Sequence, residues 1–177
     1  TCRVLRGAFP YHVVLLQLAH DANFRDGGPF RSQSAFIQAV CRSFARGAPP
    51  HHHLVLKAHP LEDGREPLAP ILRRAAEDHD IAARVHLITG GKLARILDDA
   101  ESAVTVNSTA AEQALWRGLP VRALGDAIYN RPRLTSNQPL PAFFAAPSGP
   151  NPDAYAVYRK FLLATSQVGG GFYSATG

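Results

Sequence analysis

The stretch best suited to chemistry is Asn107-Ser108-Thr109, set inside AVTVNSTAAEQALWRGLPV (Ala103 to Val121). Ala103–Val106 is a short β-branched run with the character of a buried strand, and Ala110–Arg117 is a helical run closed by Gly118 and Pro120. A strand that passes through Ser and Thr into a helix start gathers free backbone N–H groups and two hydroxyls at the edge of a sheet. That arrangement either holds an anion, most often a phosphate, or simply caps the helix with Ser108 or Thr109. Other polar groups recur after apolar runs. His59-Pro60 follows LVLKA, with Pro60 biasing His59 toward an extended backbone. Thr89-Gly90-Gly91-Lys92 follows VHLI, where the glycines permit close approach of a ligand. The loop AHDANFRDGGPFR (Ala19 to Arg31) follows HVVLLQL and carries His20, Asp21, Asn23, Arg25, Asp26 and Arg31. GDAIYNRPRLT (Gly125 to Thr135) follows VRAL and carries Asp126, Tyr129, Arg131 and Arg133. Glu62 and Asp63 serve either as acid/base groups or as turn acids. His51–His53 invite a metal reading, but consecutive residues of an extended chain point to alternate sides and cannot all face one ion.

These groups need a scaffold, and the apolar pattern supplies it. His12–Leu18, Leu54–Ala58, Val85–Ile88, Ala103–Val106 and Val121–Leu124 read as strands, continuous in apolar character as expected of strands covered on both faces. Ser34–Ala45, Pro67–His79, Lys92–Asp98, Ala110–Arg117 and Pro152–Gln167 read as helices, the first with Ala35, Phe36, Ala39, Val40 and Phe44 on one stripe. Ser136–Pro152, rich in Pro and Ser, reads as an irregular crossing. Five alternations of strand and helix predict an α/β fold: a Rossmann-like, doubly wound parallel sheet of about five strands. Ligands of such sheets bind beyond the carboxyl ends of the strands. Every polar group named above falls there except His51–His53, which precede their strand. That concentration favours a nucleotide or phosphate ligand over a bare cap.

Bulk composition narrows the classes. The chain has 177 residues, 46% hydrophobic and 19% charged, which is a globular composition for one domain. It contains no apolar run near the ~20 residues of a membrane span and no signal-peptide pattern. Cys2 and Cys41 give neither metal spacing nor a disulfide framework, so a reducing, cytoplasmic setting is expected. The net charge of +5 is mostly an Arg excess spread over several segments. It fits either a solvated surface or attraction to an anionic membrane surface. Nucleic acid is not an expected partner: there is no aromatic-interleaved basic strand, zinc-finger spacing or single basic helix.

The order HPLEDG, LITGGKLARILDDA, VNSTAAEQALWRGLPVRALGDAIYNRPRLT and FLLATSQVGGGFYS, from about Val13 to Ser174, resembles the capsule polysaccharide biosynthesis family, whose members resemble bacterial Kdo transferases. The resemblance implies a GT-B glycosyltransferase that takes a CMP-activated sugar as donor and a glycolipid or polysaccharide as acceptor. It implies that His59 and Pro60 contact the CMP part, and that Asn107, Ser108 and Thr109 hold its one phosphate. By analogy with other GT-B enzymes, Glu112, one turn into the helix, either reaches a ribose hydroxyl or stays a surface acid. Gly90, Gly91, Lys92 and Arg131 are further candidates for phosphate or substrate contact. No metal and no cofactor beyond the donor are expected. The leaving group would be stabilised by the helix dipole, His59 and Arg131. A GT-B enzyme has two Rossmann-like domains, and this chain has length for one, matching the C-terminal donor-binding half. It starts at Thr1 without Met and is expected to be a fragment, with little transferase activity alone. Asp21 and Asp26 are candidate catalytic carboxylates facing the interdomain cleft. Two other readings stay open: a non-catalytic protein of capsule assembly or export, and a nucleotide-sugar epimerase handling a diphosphate donor.

Overall fold

The computed structural model describes residues 9–18, 21, 24 and 26–165. Cys2, His20, Asn23, Arg25 and the end of the last motif, residues 166–174, lie outside the described residues. Five strands form one all-parallel sheet: β1 (Tyr11–Leu15), β2 (His53–Lys57), β3 (Val85–Ile88), β4 (Ser102–Thr105) and β5 (Val121–Ala123), in the order β3-β2-β1-β4-β5. The chain steps outward from β1 through β2 to β3, then returns to place β4 on the other side of β1. The strand order therefore reverses between β1 and β4, and loops leaving their carboxyl ends diverge to open a crevice.

Alternation along each strand divides the core in two. Val14, Leu16, Leu54, Leu56, Val104 and Val106 face α1 (Gln33–Gly47) and α2 (Leu68–Glu77), packing on Phe36, Ile37, Val40, Phe44, Leu68 and Leu72. Tyr11, Val13, Leu15, Val55, Ala103 and Val121 face the other way. They pack with Ile96 and Leu97 of α3 (Leu93–Asp98), Ala111, Ala114 and Leu115 of α4 (Ala111–Trp116), and Tyr158 of α6 (Pro152–Thr165). Helices on both faces explain why the strands carry unbroken apolar runs rather than alternating polar ones. The fold class expected from the sequence is thus the fold observed, with the helices connecting β1 through β3 on one face and those connecting β3 through β5 on the other.

One segment differs from expectation. Within the stretch read as irregular, Leu140–Ala145 forms a short helix, α5. Pro139 and Pro141 sit at its start, where a missing N–H costs nothing. It buries Phe143 and Phe144 against α1, with Phe144 edge-on to Phe44 at 5.5 Å between ring centres. Six residues are too few for a helical period to register. The helix expected over Pro67–His79 is shorter at both ends, because Pro67 stands at the cap and Asp80, at φ +56°, turns the chain away.

The histidine run lies at the amino edge of the sheet. His52 and His53 diverge as an extended chain requires: His52 Nδ1 meets His12 Nε2 at 3.0 Å, and His53 Nδ1 meets His86 Nε2 at 2.9 Å. Among the described residues no group of three or more His, Cys, Asp or Glu is arranged to hold a metal ion, and no helix is long and apolar enough to cross a membrane.

Candidate functional site

A pocket of about 340 Å³ opens over the carboxyl edge of β1, β2 and β4, on the face covered by α3 and α4. Its volume is at the low end of the ~300–1,000 Å³ range of small-molecule sites. The floor is Leu15, Leu16, Lys57 and Ala58; one wall is His59-Pro60; the others are Gly91 with Leu93, and Ser108, Thr109, Ala110 with Gln113. Four separate loops meet there because all leave parallel strands at the same edge.

The β4–α4 loop is held by a dense set of hydrogen bonds. The Thr105 hydroxyl donates to the Leu15 carbonyl at 3.1 Å and accepts the Ser108 N–H at 3.2 Å, tying β1, β4 and the loop together. Gln17 and Asn107 pair reciprocally: Gln17 Nε2 donates to Asn107 Oδ1 at 2.8 Å, and the Asn107 N–H donates to Gln17 Oε1 at 3.1 Å. Gln33 Nε2 of α1 donates to the Gln17 carbonyl in turn. Tyr129 OH donates to the Ser108 carbonyl at 2.6 Å. Burial, with Glu112 nearby, raises the Tyr129 pKa well above the usual phenol value, so this donor keeps its proton. The Ser108 Oγ accepts the Ala110 N–H at 3.3 Å, which leaves its own proton to donate outward. Thr109 is exposed and lines the pocket, and its hydroxyl carries no hydrogen bond to a described residue. Neither side chain caps the helix in the usual way, since the capping position falls to Ala110, without a side-chain hydrogen bond.

The turn after β2 sets His59. The Leu61 N–H donates to His59 Nδ1 at 3.1 Å, and the His59 carbonyl accepts the Glu62 N–H at 3.0 Å. An N–H aimed at Nδ1 requires a lone pair there, so in the neutral ring the proton sits on Nε2. The imidazole therefore offers an N–H donor. Glu62 and Asp63 belong to the turn: Glu62 Oε1 accepts the Gly64 N–H at 3.1 Å, and Asp63 accepts the Arg65 N–H at 3.2 Å and pairs with its guanidinium at 2.9 Å. Gly91, at φ +82°, takes a left-handed conformation that favours glycine and brings bare backbone to the rim.

His59, Pro60, Gly91, Ser108 and Thr109 thus come together around one cavity. The remaining candidates sit elsewhere. Asn107 is committed to Gln17 and does not line the pocket. Lys92 is the exposed residue ahead of α3, and Gly90 is exposed beside it. The Glu112 carboxylate accepts from Tyr158 OH of α6 at 2.9 Å and lines a separate hollow with Trp116 and Tyr155. Arg131 borders an apolar groove of about 560 Å³ with Ile128, Val157 and Phe161. Asp26 lies in a shallow depression with Arg122, Gly125 and Asp126, while the Asp21 N–H closes a turn on the Leu18 carbonyl at 3.0 Å.

The sequence singles out Tyr129 with its loop, but not Lys57 and Gln113 as pocket residues, nor Gln17 and Thr105 as groups that shape the pocket. Lys57 and Thr105 did leave a signal, as lone polar residues ending otherwise apolar strands. Gln113 left none, because helix phase decides where it points.

The chain is similar to several known proteins. The E. coli capsule polysaccharide export protein KpsS is 29% identical over 92% of this chain and 42% of its own length. The capsule polysaccharide modification protein LipB of Neisseria meningitidis serogroup A is 30% identical over 93% of this chain and 39% of its own length. The chain therefore spans about two fifths of the curated relatives it matches. Among solved structures, Thermosulfurimonas dismutans KpsC, a β-Kdo 2,7 transferase, superimposes with a TM-score of 0.55 at 21% identity, over 75% of this chain and 40% of that one, and so shares its fold. A family model described as capsule polysaccharide biosynthesis protein matches residues 5–173, nearly the whole sequence, and the chain belongs to that family.

Proposed function

We propose that this chain is the donor-binding part of a capsule polysaccharide glycosyltransferase that uses a CMP-activated, Kdo-like sugar. The observation that carries this reading is the pocket at the carboxyl edge of the sheet, where the His59 Nε2–H, the Ser108 and Thr109 hydroxyls and the bare backbone of Gly91 converge. Those are donors suited to one phosphate rather than two: a few hydroxyls, one imidazole, and no glycine-rich loop with a Walker-type lysine. Glycosyl transfer breaks the bond between the anomeric carbon and the phosphate oxygen. Negative charge then gathers on the CMP phosphate, and prearranged donors around that oxygen are the means of stabilising it. Membership of the capsule family and a fold shared with a Kdo transferase support the choice of donor.

The acceptor, a glycolipid or polysaccharide, and the group that activates its hydroxyl belong in this reading to a second Rossmann-like half. Asp21 and Asp26 are offered as carboxylates toward that half, and Glu112 as a ribose contact once Tyr158 yields its bond. The whole protein would act in the cytoplasm, peripherally at the inner membrane. The second reading, a non-catalytic role in capsule assembly or export, takes its support from the name of the E. coli relative.

Equilibrium titration separates the two. The donor reading expects the chain to bind CMP, weakly but saturably, and more tightly than UDP. It expects His59→Ala to weaken CMP binding by roughly tenfold, as befits one lost charge-assisted hydrogen bond. No CMP binding by the wild type would favour the assembly role, and tighter UDP binding would point to a diphosphate-sugar enzyme.

A further inference from the structure

We infer that Lys57 is the cation that reads the phosphate in the carboxyl-edge pocket, an inference that rests on the nucleotide reading above. The sheet register sets the position. Ile88, Lys57, Leu15, Thr105 and Ala123 stand side by side as the last aligned row across β3, β2, β1, β4 and β5. One row further in on the same face come His86, Val55, Val13, Ala103 and Val121, of which Val55, Val13, Ala103 and Val121 are fully buried and apolar. Lys57 thus places an ammonium at the top of a largely apolar face, directly beneath the cavity, and it is a lining residue of that cavity.

Lys57 is only 6 % exposed, yet among the described residues no carboxylate pairs with it. One of its three donors goes to the adjacent Ala58 carbonyl at 2.8 Å. Burial lowers its pKa from the usual lysine value. A buried ammonium without a counter-charge is costly, and an apolar side chain of similar length would fill the row at less cost. Its siting makes chemical sense if the counter-charge arrives with a ligand. Thr105 lies two strand spacings away, about 10 Å, and its hydroxyl anchors the Ser108 N–H. An anion between β2 and the β4–α4 loop would meet the ammonium from one side and the Ser108 and Thr109 hydroxyls from the other. A phosphate satisfies that arrangement with its several oxygens. His59, two residues on, would then complete the ring of donors from the pocket wall.

The test is an NMR titration of the 177-residue chain with CMP and with cytidine, for wild type, Lys57→Met and Lys57→Gln. The two ligands differ only in the phosphate, so the ratio of their affinities isolates what Lys57 reads. Wild type is expected to prefer CMP by about tenfold or more, a usual margin for a charge-assisted contact. Both variants are expected to bring that preference close to unity while binding cytidine as wild type does. Lys57→Met fits the apolar row, and Lys57→Gln retains polarity without charge, so either folded variant decides the matter. Variants that keep the wild-type preference for CMP would overturn the role of Lys57 and leave the nucleotide site standing. A parallel loss of affinity for both ligands would mark Lys57 as structural and overturn it too. Wild type that binds neither ligand would overturn the nucleotide reading itself, and this assignment with it.

Discussion

His12 and His59 stand at opposite ends of the sheet and illustrate two uses of one side chain. His59 is held in a turn, with Nδ1 occupied by the Leu61 N–H, which leaves Nε2 as the donor of the neutral ring. His12 is fully buried at the amino edge, its Nδ1 on the Ser102 hydroxyl at 2.8 Å and its Nε2 on His52, with Phe44 and Phe144 edge-on around it. Burial, then repulsion from His52, pushes its pKa down to about 3. His52 itself is lowered by burial and by His51, Arg84 and His53, with Glu101 opposing. Above pH 6.5, His12 is neutral both folded and unfolded and contributes no pH dependence. Below that, the unfolded chain takes up a proton that the folded chain refuses, so stability falls as the pH drops from 6.5 toward about 3. The slope from one such group is at most about 1.4 kcal/mol per pH unit. His86, pushed down to about 4 but more accessible, adds in the same direction and more weakly. Urea midpoints measured from pH 7.5 to 4.5 are expected to fall for wild type and to fall less steeply for His12→Gln. Equal slopes would show that His12 already titrates normally in the folded protein.

At the scale of elements, the close approach of α1 and α5 is the sharpest constraint. Gly47, the last residue of α1, lies against the backbone of Pro141, and a Cβ there would run into the Pro141 carbonyl. Helix propensity alone would make Gly47→Ala favourable by ~0.5–1 kcal/mol. The clash is with backbone, which cannot rotate away, and overpacking of this kind costs about 1–3 kcal/mol. The clash wins. Gly47→Ala is expected to lower Tm by several degrees at ~2–4 °C per kcal/mol, and to leave CMP affinity unchanged because the pocket is on the other face. A raised Tm would show that α5 moves freely on α1. The same helix shows what the sequence leaves illegible. The strands were readable because burial on both faces makes them continuous apolar runs. The longer helices were readable because an apolar stripe repeats along them. α5 has neither length nor period, and only its two buried phenylalanines betray it. The site divides in the same way. His59, Gly91, Ser108 and Thr109 were legible as polar groups following strands, since parallel strands send such groups to one edge. Asn107 pairs with Gln17, and Glu112 with Tyr158, across 90 and 46 residues of sequence. No local pattern reports such long-range pairings.

At the scale of the molecule, the strand order decides where a ligand can sit. The reversal between β1 and β4 opens the crevice, and Thr105 bridging to Leu15 fixes its floor. The other notable surface belongs to α6, which buries only Tyr158 and leaves Val157 and Phe161 exposed along the apolar groove that Arg131 borders. Two cavities of different character thus lie apart on one small domain, one polar-rimmed at the sheet edge and one apolar along the last helix. We propose the first of them as the nucleotide site. Amide chemical-shift mapping during a CMP titration of the isotope-labelled chain tests it most directly. Saturable shifts are expected at Leu61, Gly91, Ser108, Thr109 and Gln113, with the amides around Ile128 and Phe161 unmoved. Shifts centred on the α6 groove, or no saturable shift at any site, would contradict it.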